Sequence, residues 1–168
     1  MKKFFLKLIY GFLIIFYFLK VGQVQSLVPY YYFPTIKNLK KESESIGKNA
    51  YQLLYFGQYK QSLNLAKLAV RINKTDEKLW LILAEAEMTN NLYKQSLNSL
   101  KKAEKLNSNI SEIYFAKSNV YLKISELKNA KTALETGLEI EPNNYKAIFQ
   151  LGNIHLMEEK YSDAIKLF

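Results

Sequence analysis

The chain has 168 residues, of which 49% are hydrophobic and 14% aromatic, and its formal net charge is +9. This length suffices for one domain with a buried core, and the aromatic content excludes an intrinsically disordered chain. The absence of cysteine excludes disulfides, cysteine-based zinc sites and thiol catalysis. Lysines alternate with glutamates instead of forming a dense basic stripe with arginine, so we expect no nucleic-acid binding.

Residues 1–26 have the features of a targeting segment. Lys2 and Lys3 precede residues 8–19 (LIYGFLIIFYFL), which are uncharged and mostly apolar. This stretch has the length of a signal-peptide core and is shorter than the ~20 residues that a spanning helix needs. Val24 and Ser26 suit the −3 and −1 positions of a cleavage site. We therefore predict a signal peptide or a retained membrane anchor, and a protein that is exported (periplasm, lumen or extracellular space) or membrane-anchored.

Two alternatives remain for this segment. A retained anchor would insert in the opposite orientation if Lys20 and the lysines between residues 37 and 48 act through the positive-inside rule. Residues 1–26 would otherwise form a buried helix of a soluble protein.

Residues 27–42 are predicted to be an aromatic and charged linker. Pro29 and Pro34 flank four consecutive aromatic residues, 30–33 (YYYF), which is not a helical pattern. This segment either packs on the domain that follows as an extended lead-in or lies at a membrane interface. Residues 35–45 (TIKNLKKESES) are polar and charged and form a linker or the start of a helix.

From about residue 43 the sequence repeats itself with a period of about 34 residues. Tyr59, Tyr93 and Tyr161 keep this spacing, as do Leu63 with Leu97 and several asparagine and alanine pairs. A period of this length is typical of solenoids built from small structural repeats. It predicts a repeat domain over residues 43–168, with units at 43–76, 77–110, 111–144 and 145–168, the last incomplete.

Each unit resembles a tetratricopeptide repeat (TPR), whose pattern is W-x2-L-G-x2-Y, then A-x3-F, then P. The residues that carry the resemblance in the last three units are Trp80, Leu83, Ala84, Tyr114, Ser118, Tyr121, Ala130, Leu134, Pro142, Leu151, Gly152, Ala164 and Phe168. Lys117 replaces the leucine of the pattern, and Glu87 and His155 replace the tyrosine. The resemblance implies an all-α fold, an α-solenoid of antiparallel helix pairs with three full repeats and a partial fourth. An N-terminal hydrophobic targeting helix would precede it.

No arrangement of residues indicates catalysis. His155, the only histidine, falls at the tyrosine position of the repeat, where a side chain packs between helices. Glu85 and Glu87 lie two positions apart on a predicted helix and therefore point in different directions. No phosphate-binding loop, nucleophile motif or metal-binding motif is present. We expect no enzyme activity, catalytic residue, metal, cofactor or small-molecule substrate.

The resemblance implies a different kind of site, because the first helix of each repeat lines a concave groove in this family. The groove residues that it implies are Leu81, Glu85, Met88, Phe115, Asn119, Leu122, Phe149, Asn153 and Leu156. Leu81, Phe115 and Phe149 form one apolar row, and a second runs through Met88. Some of these side chains would alternatively pack against the neighbouring repeat. Leu81 and Phe115 occupy positions where chaperone-binding members have lysine, which disfavours a ligand with an acidic C-terminus.

These features predict a non-enzymatic scaffold or assembly factor that binds a peptide or helix of a partner protein of unknown identity. The hydrophobic N-terminal segment would add contact with a membrane. The chain looks like the small membrane-targeted TPR proteins of cyanobacteria and plastids, which suggests assembly of a membrane complex. The alternatives are an envelope or secretion-system adaptor and the regulatory TPR region of a larger enzyme truncated at residue 168.

Overall fold

The computed structural model describes residues 36–167, and in this part of the chain all regular structure is helical. The eight helices are α1 (Ile36–Tyr55), α2 (Tyr59–Ile72), α3 (Glu77–Thr89), α4 (Tyr93–Leu106), α5 (Ser111–Lys123), α6 (Leu127–Ile140), α7 (Tyr145–Met157) and α8 (Tyr161–Ile165). The helices that open the last three repeats begin at Glu77, Ser111 and Tyr145, a constant spacing that equals the sequence period. Each first helix packs against the second helix of its own repeat, and successive pairs contact each other. The predicted solenoid of helix pairs is therefore confirmed over these residues, whereas the prediction of a targeting helix concerns residues outside them.

Helix α1 is longer than the first helices of the other repeats, with 20 residues against 13. It begins at Ile36, so residues 36–42, which the sequence analysis assigned to the linker, are helical. The reason is local. Pro34 is the last proline before this helix, and the residues directly after it are mainly lysine, leucine and glutamate, all good helix formers. Only residues 27–35 of the predicted linker lie outside the described structure.

The turn between the two helices of every repeat contains one residue in the left-handed conformation. These residues are Gly57 (φ 73°), Asn91, Ser125 and Glu159 (each φ 61°), and each follows the previous one by a full repeat period. The next backbone N–H then donates to a carbonyl of the preceding helix, as from Gln58 to Leu53 at 2.8 Å and from Lys160 to His155 at 2.8 Å. This bond closes the helix in the manner of a Schellman motif. Glycine suits this conformation, but a residue with a Cβ atom adopts it at a cost.

Some side-chain hydrogen bonds recur with the period in two successive repeats. The hydroxyl of Ser62 donates to the Ala50 carbonyl oxygen, and that of Ser96 donates to the Ala84 carbonyl oxygen, both at 2.7 Å. Trp80 donates from Nε1 to the Lys74 carbonyl oxygen at 2.8 Å. The equivalent bond in the next repeat runs from the Tyr114 hydroxyl to the Ser108 carbonyl oxygen at 3.0 Å. Trp80 and Tyr114 are each only 9% exposed, so they fill the space between helices.

The buried apolar side chains form two clusters, which we name the first core and the second core. The first core extends from α1 to α5 and contains Ala50, Leu63, Ala66, Ala69, Val70, Leu79, Trp80, Leu83, Ala84, Ala86, Leu100, Ala103, Ile113 and Val120. The second core joins α6 and α7 and contains Ala130, Leu134, Ala147, Leu151 and Ile154. The smaller cluster thus holds the C-terminal part of the solenoid together.

The tyrosine position of the repeat is occupied differently in each unit, by Leu53, Glu87, Tyr121 and His155. Glu87 is 6% exposed, and its Oε2 accepts a hydrogen bond of 2.6 Å from the Ser99 hydroxyl. Burial raises the pKa of the Glu87 carboxyl, while the Ser99 hydrogen bond, Lys67 and Lys102 oppose that shift. His155 is 8% exposed, which fits the packing role predicted for it.

Candidate peptide-binding groove

The first helices of the first three repeats form one continuous face of the solenoid, because α1 contacts α3 and α3 contacts α5. A cavity of about 320 Å³ opens on this face. Its lining residues come from all three helices and are Tyr51, Leu81, Ala84, Glu85, Met88, Glu112, Phe115, Ala116, Asn119 and Val120. The cavity thus brings together five residues of the predicted groove, namely Leu81, Glu85, Met88, Phe115 and Asn119.

The other four predicted groove residues do not line this cavity. Leu122 is half-buried and packs against the second core. Phe149 and Leu156 lie on α7 and are 58% and 42% exposed, and Asn153 on the same helix is half-buried. A partner-binding role for these four residues stays a prediction.

Tyr51 is a groove residue that the sequence analysis missed. It projects from α1 into the cavity and is 56% exposed. Its position in the first repeat is equivalent to that of Glu85 and Asn119 in the next two, since one period separates each from the next. The period alone could locate it. The predicted groove residues come only from the last three units, because the first unit has the weakest match to the repeat pattern. Glu112 and Ala116, which also line the cavity, were missed as well.

Three of the apolar lining residues also support the fold. Leu81 and Met88 are half-buried and pack against the first core. Phe115 packs against the second core, and its ring lies on Gly137 of α6, where any Cβ atom would collide with it. Gly137 is thus required for the close approach of this ring. Leu81, Met88 and Phe115 thus each have one side that packs in the core and one side that faces the cavity.

The charge in the groove is negative. Burial raises the pKa of the Glu85 carboxyl, and no hydrogen bond or ion pair to this carboxylate occurs within residues 36–167. The other charged lining residue is Glu112, which is exposed at the rim. No lysine or arginine of the described chain lines this cavity. The groove therefore has the opposite sign to the net charge of the protein.

Asn119 fixes the edge of the groove toward the fourth repeat. Its Oδ1 accepts a hydrogen bond of 2.7 Å from Nε2 of Gln150, which connects α5 to α7. Asn119 itself is exposed. The groove therefore continues toward α7 through polar side chains, although the cavity does not extend that far.

A second, larger cavity of about 540 Å³ lies between α1 and the beginning of α3. Its charged lining is mixed and consists of Lys40, Lys48, Lys78, Glu44, Asp76 and Glu77. Asp76 is already used as the N-cap of α3, where its carboxylate accepts from the backbone N–H groups of Lys78 and Leu79. Because the charges balance, this cavity does not indicate a ligand of either sign.

Residues 36–167 contain neither a metal-binding cluster nor a membrane-spanning helix. No group of three or more histidine or acidic side chains is arranged to hold a metal ion there. Within the same residues, no helix combines the length and the apolar character that a membrane span requires.

Comparison with known proteins identifies the third repeat. The family model described as "Tetratricopeptide repeat" matches residues 111–144, which are α5, α6 and the segment that follows. These are the bounds predicted for the third unit. No curated protein matches the chain.

Solved structures with the same fold cover most of the chain. A crystal structure of MamA is 21% identical, with a TM-score of 0.69, and the match covers 79% of this chain and 82% of that one. The first TPR of Spaghetti (RPAP3), bound to the HSP90 peptide SRMEEVD, is 18% identical with a TM-score of 0.67 and covers 71% and 95%. The type III secretion chaperone SycD of Yersinia enterocolitica, in complex with a peptide of the translocator YopD, is 16% identical with a TM-score of 0.62 and covers 68% and 93%.

These similarities establish the fold, and the family match establishes the repeat type. The chain contains a tetratricopeptide repeat at residues 111–144, and residues 36–167 have the α-solenoid fold of helix pairs that these structures share.

Proposed function

We propose that this protein is a non-enzymatic scaffold that holds a peptide or helical segment of another protein in the groove formed by α1, α3 and α5. One observation carries the proposal: the cavity on this face is lined by accessible aromatic and aliphatic side chains around a single half-buried carboxylate. Apolar anchors with few polar groups are the usual composition of peptide-binding grooves. Two proteins of the same fold, the RPAP3 repeat domain and SycD, are described as complexes with peptides.

The ligand of RPAP3 is acidic, and the groove of this protein argues against such a ligand here. Glu85 and Glu112 line the cavity without a basic neighbour in the lining. A carboxylate-rich peptide would meet like charge in a partly desolvated site, which is unfavourable. The negative charge of the groove therefore supports the expectation, based on Leu81 and Phe115, that a ligand with an acidic C-terminus is disfavoured.

We further propose that the scaffold acts at or beyond a membrane, as an assembly factor for a membrane complex. This part rests on residues 1–26 alone, which lie outside the described structure. An adaptor role in an envelope or secretion system is the second candidate, and the likeness to SycD, a secretion chaperone, favours it.

Site-specific photo-crosslinking in the native host tests the scaffold function. A benzophenone amino acid replaces Met88 in the groove of the full-length chain, and the same probe replaces exposed Lys101 on α4 as a control. We expect adducts from position 88 that map to one segment of one protein and are absent from position 101. The proposal fails if position 88 gives no adduct above the level at position 101.

A further inference from the structure

The half-buried carboxylate of Glu85 is without a partner, whereas the comparable carboxylates nearby are paired. Glu87 accepts from Ser99 at 2.6 Å, and Glu104 forms an ion pair of 2.7 Å with Lys117. Glu85 has neither kind of contact within residues 36–167. Partial removal of a carboxylate from water is unfavourable, and at this position no cation or hydrogen-bond donor of residues 36–167 compensates for it.

The surroundings of Glu85 restrict what can supply that partner. Tyr51 from α1 and Phe115 from α5 line the same cavity, and both rings can contact a cation through their faces. Leu81 and Met88 provide the apolar part of the wall. A bare metal ion would find one carboxylate among hydrocarbon groups, which is a poor set of ligands. A long side chain with a cationic end and apolar neighbours fits better, because its methylene groups contact the wall while its charge reaches the carboxylate.

The size of the cavity agrees with a side chain as the occupant. About 320 Å³ is at the lower end of the volumes of ligand pockets and accommodates individual side chains of a bound segment. The open face along α1, α3 and α5 lets the rest of a peptide lie outside the cavity.

We propose that the occupant of this groove is a peptide segment in which a lysine or arginine is flanked by apolar side chains, with its cation paired to Glu85 between Tyr51 and Phe115. This inference rests on the proposed scaffold function and names the chemistry of its ligand. The charge complementarity is local, because a basic segment binds here to a protein whose net charge is +9.

The test uses short random peptides displayed on phage and selected on the full-length protein in mild detergent. Selected peptides are synthesised with a fluorescein label, and their affinities are measured by fluorescence anisotropy. We expect a shared lysine or arginine between apolar residues in their sequences. Glu85→Gln should weaken binding about tenfold, and Glu85→Lys should weaken it further. Glu139→Gln, which makes the same charge change at an exposed position of α6, should leave the affinity unchanged.

A double-mutant cycle separates a direct pair from a general charge effect. Replacing the basic residue of the peptide by norleucine should also cost about tenfold against the wild-type protein, but should cost little against Glu85→Gln. The affinity of the wild-type protein should fall with added salt more steeply than that of Glu85→Gln. Circular dichroism of each variant establishes that the helices are intact.

The outcomes distinguish this inference from the proposed function. If Tyr51→Ala weakens the selected peptides but they lack a basic residue, or if Glu85→Gln has no effect, the groove binds peptides and the inference is wrong. If no peptide is selected, or if the selected peptides are indifferent to Tyr51→Ala and to Glu85→Lys, both the inference and the scaffold function are wrong.

Discussion

The first and second cores follow the same repeat register, but they are filled to different degrees. The first core contains large side chains from five helices, among them the fully buried Leu100 and Ile113. The second core contains fewer buried side chains, none of them aromatic. The hydroxyl of Ser118 on α5 and Nδ1 of His155 on α7 are buried without a hydrogen-bond partner in residues 36–167. Helices α7 and α8 also leave Met157 and Ile165 largely exposed.

This difference shows that the period determines where the helices lie, while the side chains between them determine how strongly each repeat is held. The stability of a solenoid is approximately a sum over repeats and their interfaces. We therefore expect α6–α8 to open at a lower free energy than α1–α5, and hydrogen exchange to be faster there.

The largest expected effect comes from a matched pair of leucines at the same position of the second and third repeats. Leu100 and Leu134 are both 0% exposed, one in each core. Leu100→Ala should lower the free energy of unfolding by about 3 kcal/mol, whereas Leu134→Ala should lower it by about 2 kcal/mol because its region already opens locally. Urea unfolding followed by circular dichroism measures both. Equal losses in a single transition would mean that the two cores unfold together.

The second pair has effects of opposite sign. Ser96→Ala removes the bond to the Ala84 carbonyl and should destabilise the protein by about 1 kcal/mol, the usual net contribution of one buried hydrogen bond. Ser118→Ala removes a buried hydroxyl that has no partner in residues 36–167 and should be neutral or stabilising by up to about 1 kcal/mol. Calorimetric Tm values of the two variants show whether each substitution raises or lowers the stability. A clear loss of stability in Ser118→Ala would indicate that this hydroxyl is bonded in solution.

The left-handed turn residues give a third comparison. Glu159→Gly should stabilise the C-terminal repeat by about 1 kcal/mol, because glycine adopts φ 61° without the strain of a Cβ atom. Gly57→Ala should destabilise the first repeat by a similar amount, although nothing lies within 4 Å of the added methyl group. Thermal unfolding of both variants would show a backbone effect as opposite shifts of Tm, and steric effects would not give this pattern.

The smallest effect concerns Glu85 in the groove. Burial raises the pKa of its carboxyl in the folded protein. Its contribution to stability is therefore complete at low pH, where the group is protonated in both states, and is lost as the pH rises through the folded pKa. Near neutral pH, Glu85→Gln should raise the free energy of unfolding by only about 0.5 kcal/mol. The effect is small because solvent at the open side of the groove screens the carboxylate. The difference should vanish on acidification, and denaturant titrations at several pH values measure it. An unchanged difference at low pH would exclude the carboxylate as its cause.

Much of this architecture could be predicted from the sequence, because the period of the repeat is carried by many residues at once. The 111–144 unit and the starting points of the second helices follow from the register that Tyr59, Tyr93 and Tyr161 define. For residues 35–45 the sequence left a linker and a helix start as alternatives, because this extension of α1 precedes the repeated region and has no equivalent in the other units. The left-handed turns could not be predicted. Their residues share a backbone conformation but no common side-chain type, and they are Gly57, Asn91, Ser125 and Glu159.

The groove was predicted in part for a related reason. Register positions give the face of a helix, and Glu85 and Asn119 lie on the cavity side, while their role in binding a partner stays a prediction. Register does not give the distance between neighbouring helices. The first helices α1, α3 and α5 lie close together, while α7 is connected to α5 through Gln150 and Asn119, so Phe149 and Leu156 do not reach the cavity.

The bond between Glu87 and Ser99 bears on how such a gene could be rearranged. The two residues lie on the two helices of one repeat, and the equivalent pairs are Leu53 with Leu65 and Tyr121 with Ala133. Recombination that exchanges whole helix pairs would transfer each matched pair intact. A crossover within the turn would instead place the Glu87 carboxylate against leucine or alanine, and the resulting chimera would keep its repeat length but lose stability. The heritable unit of this solenoid is therefore the helix pair rather than the single helix.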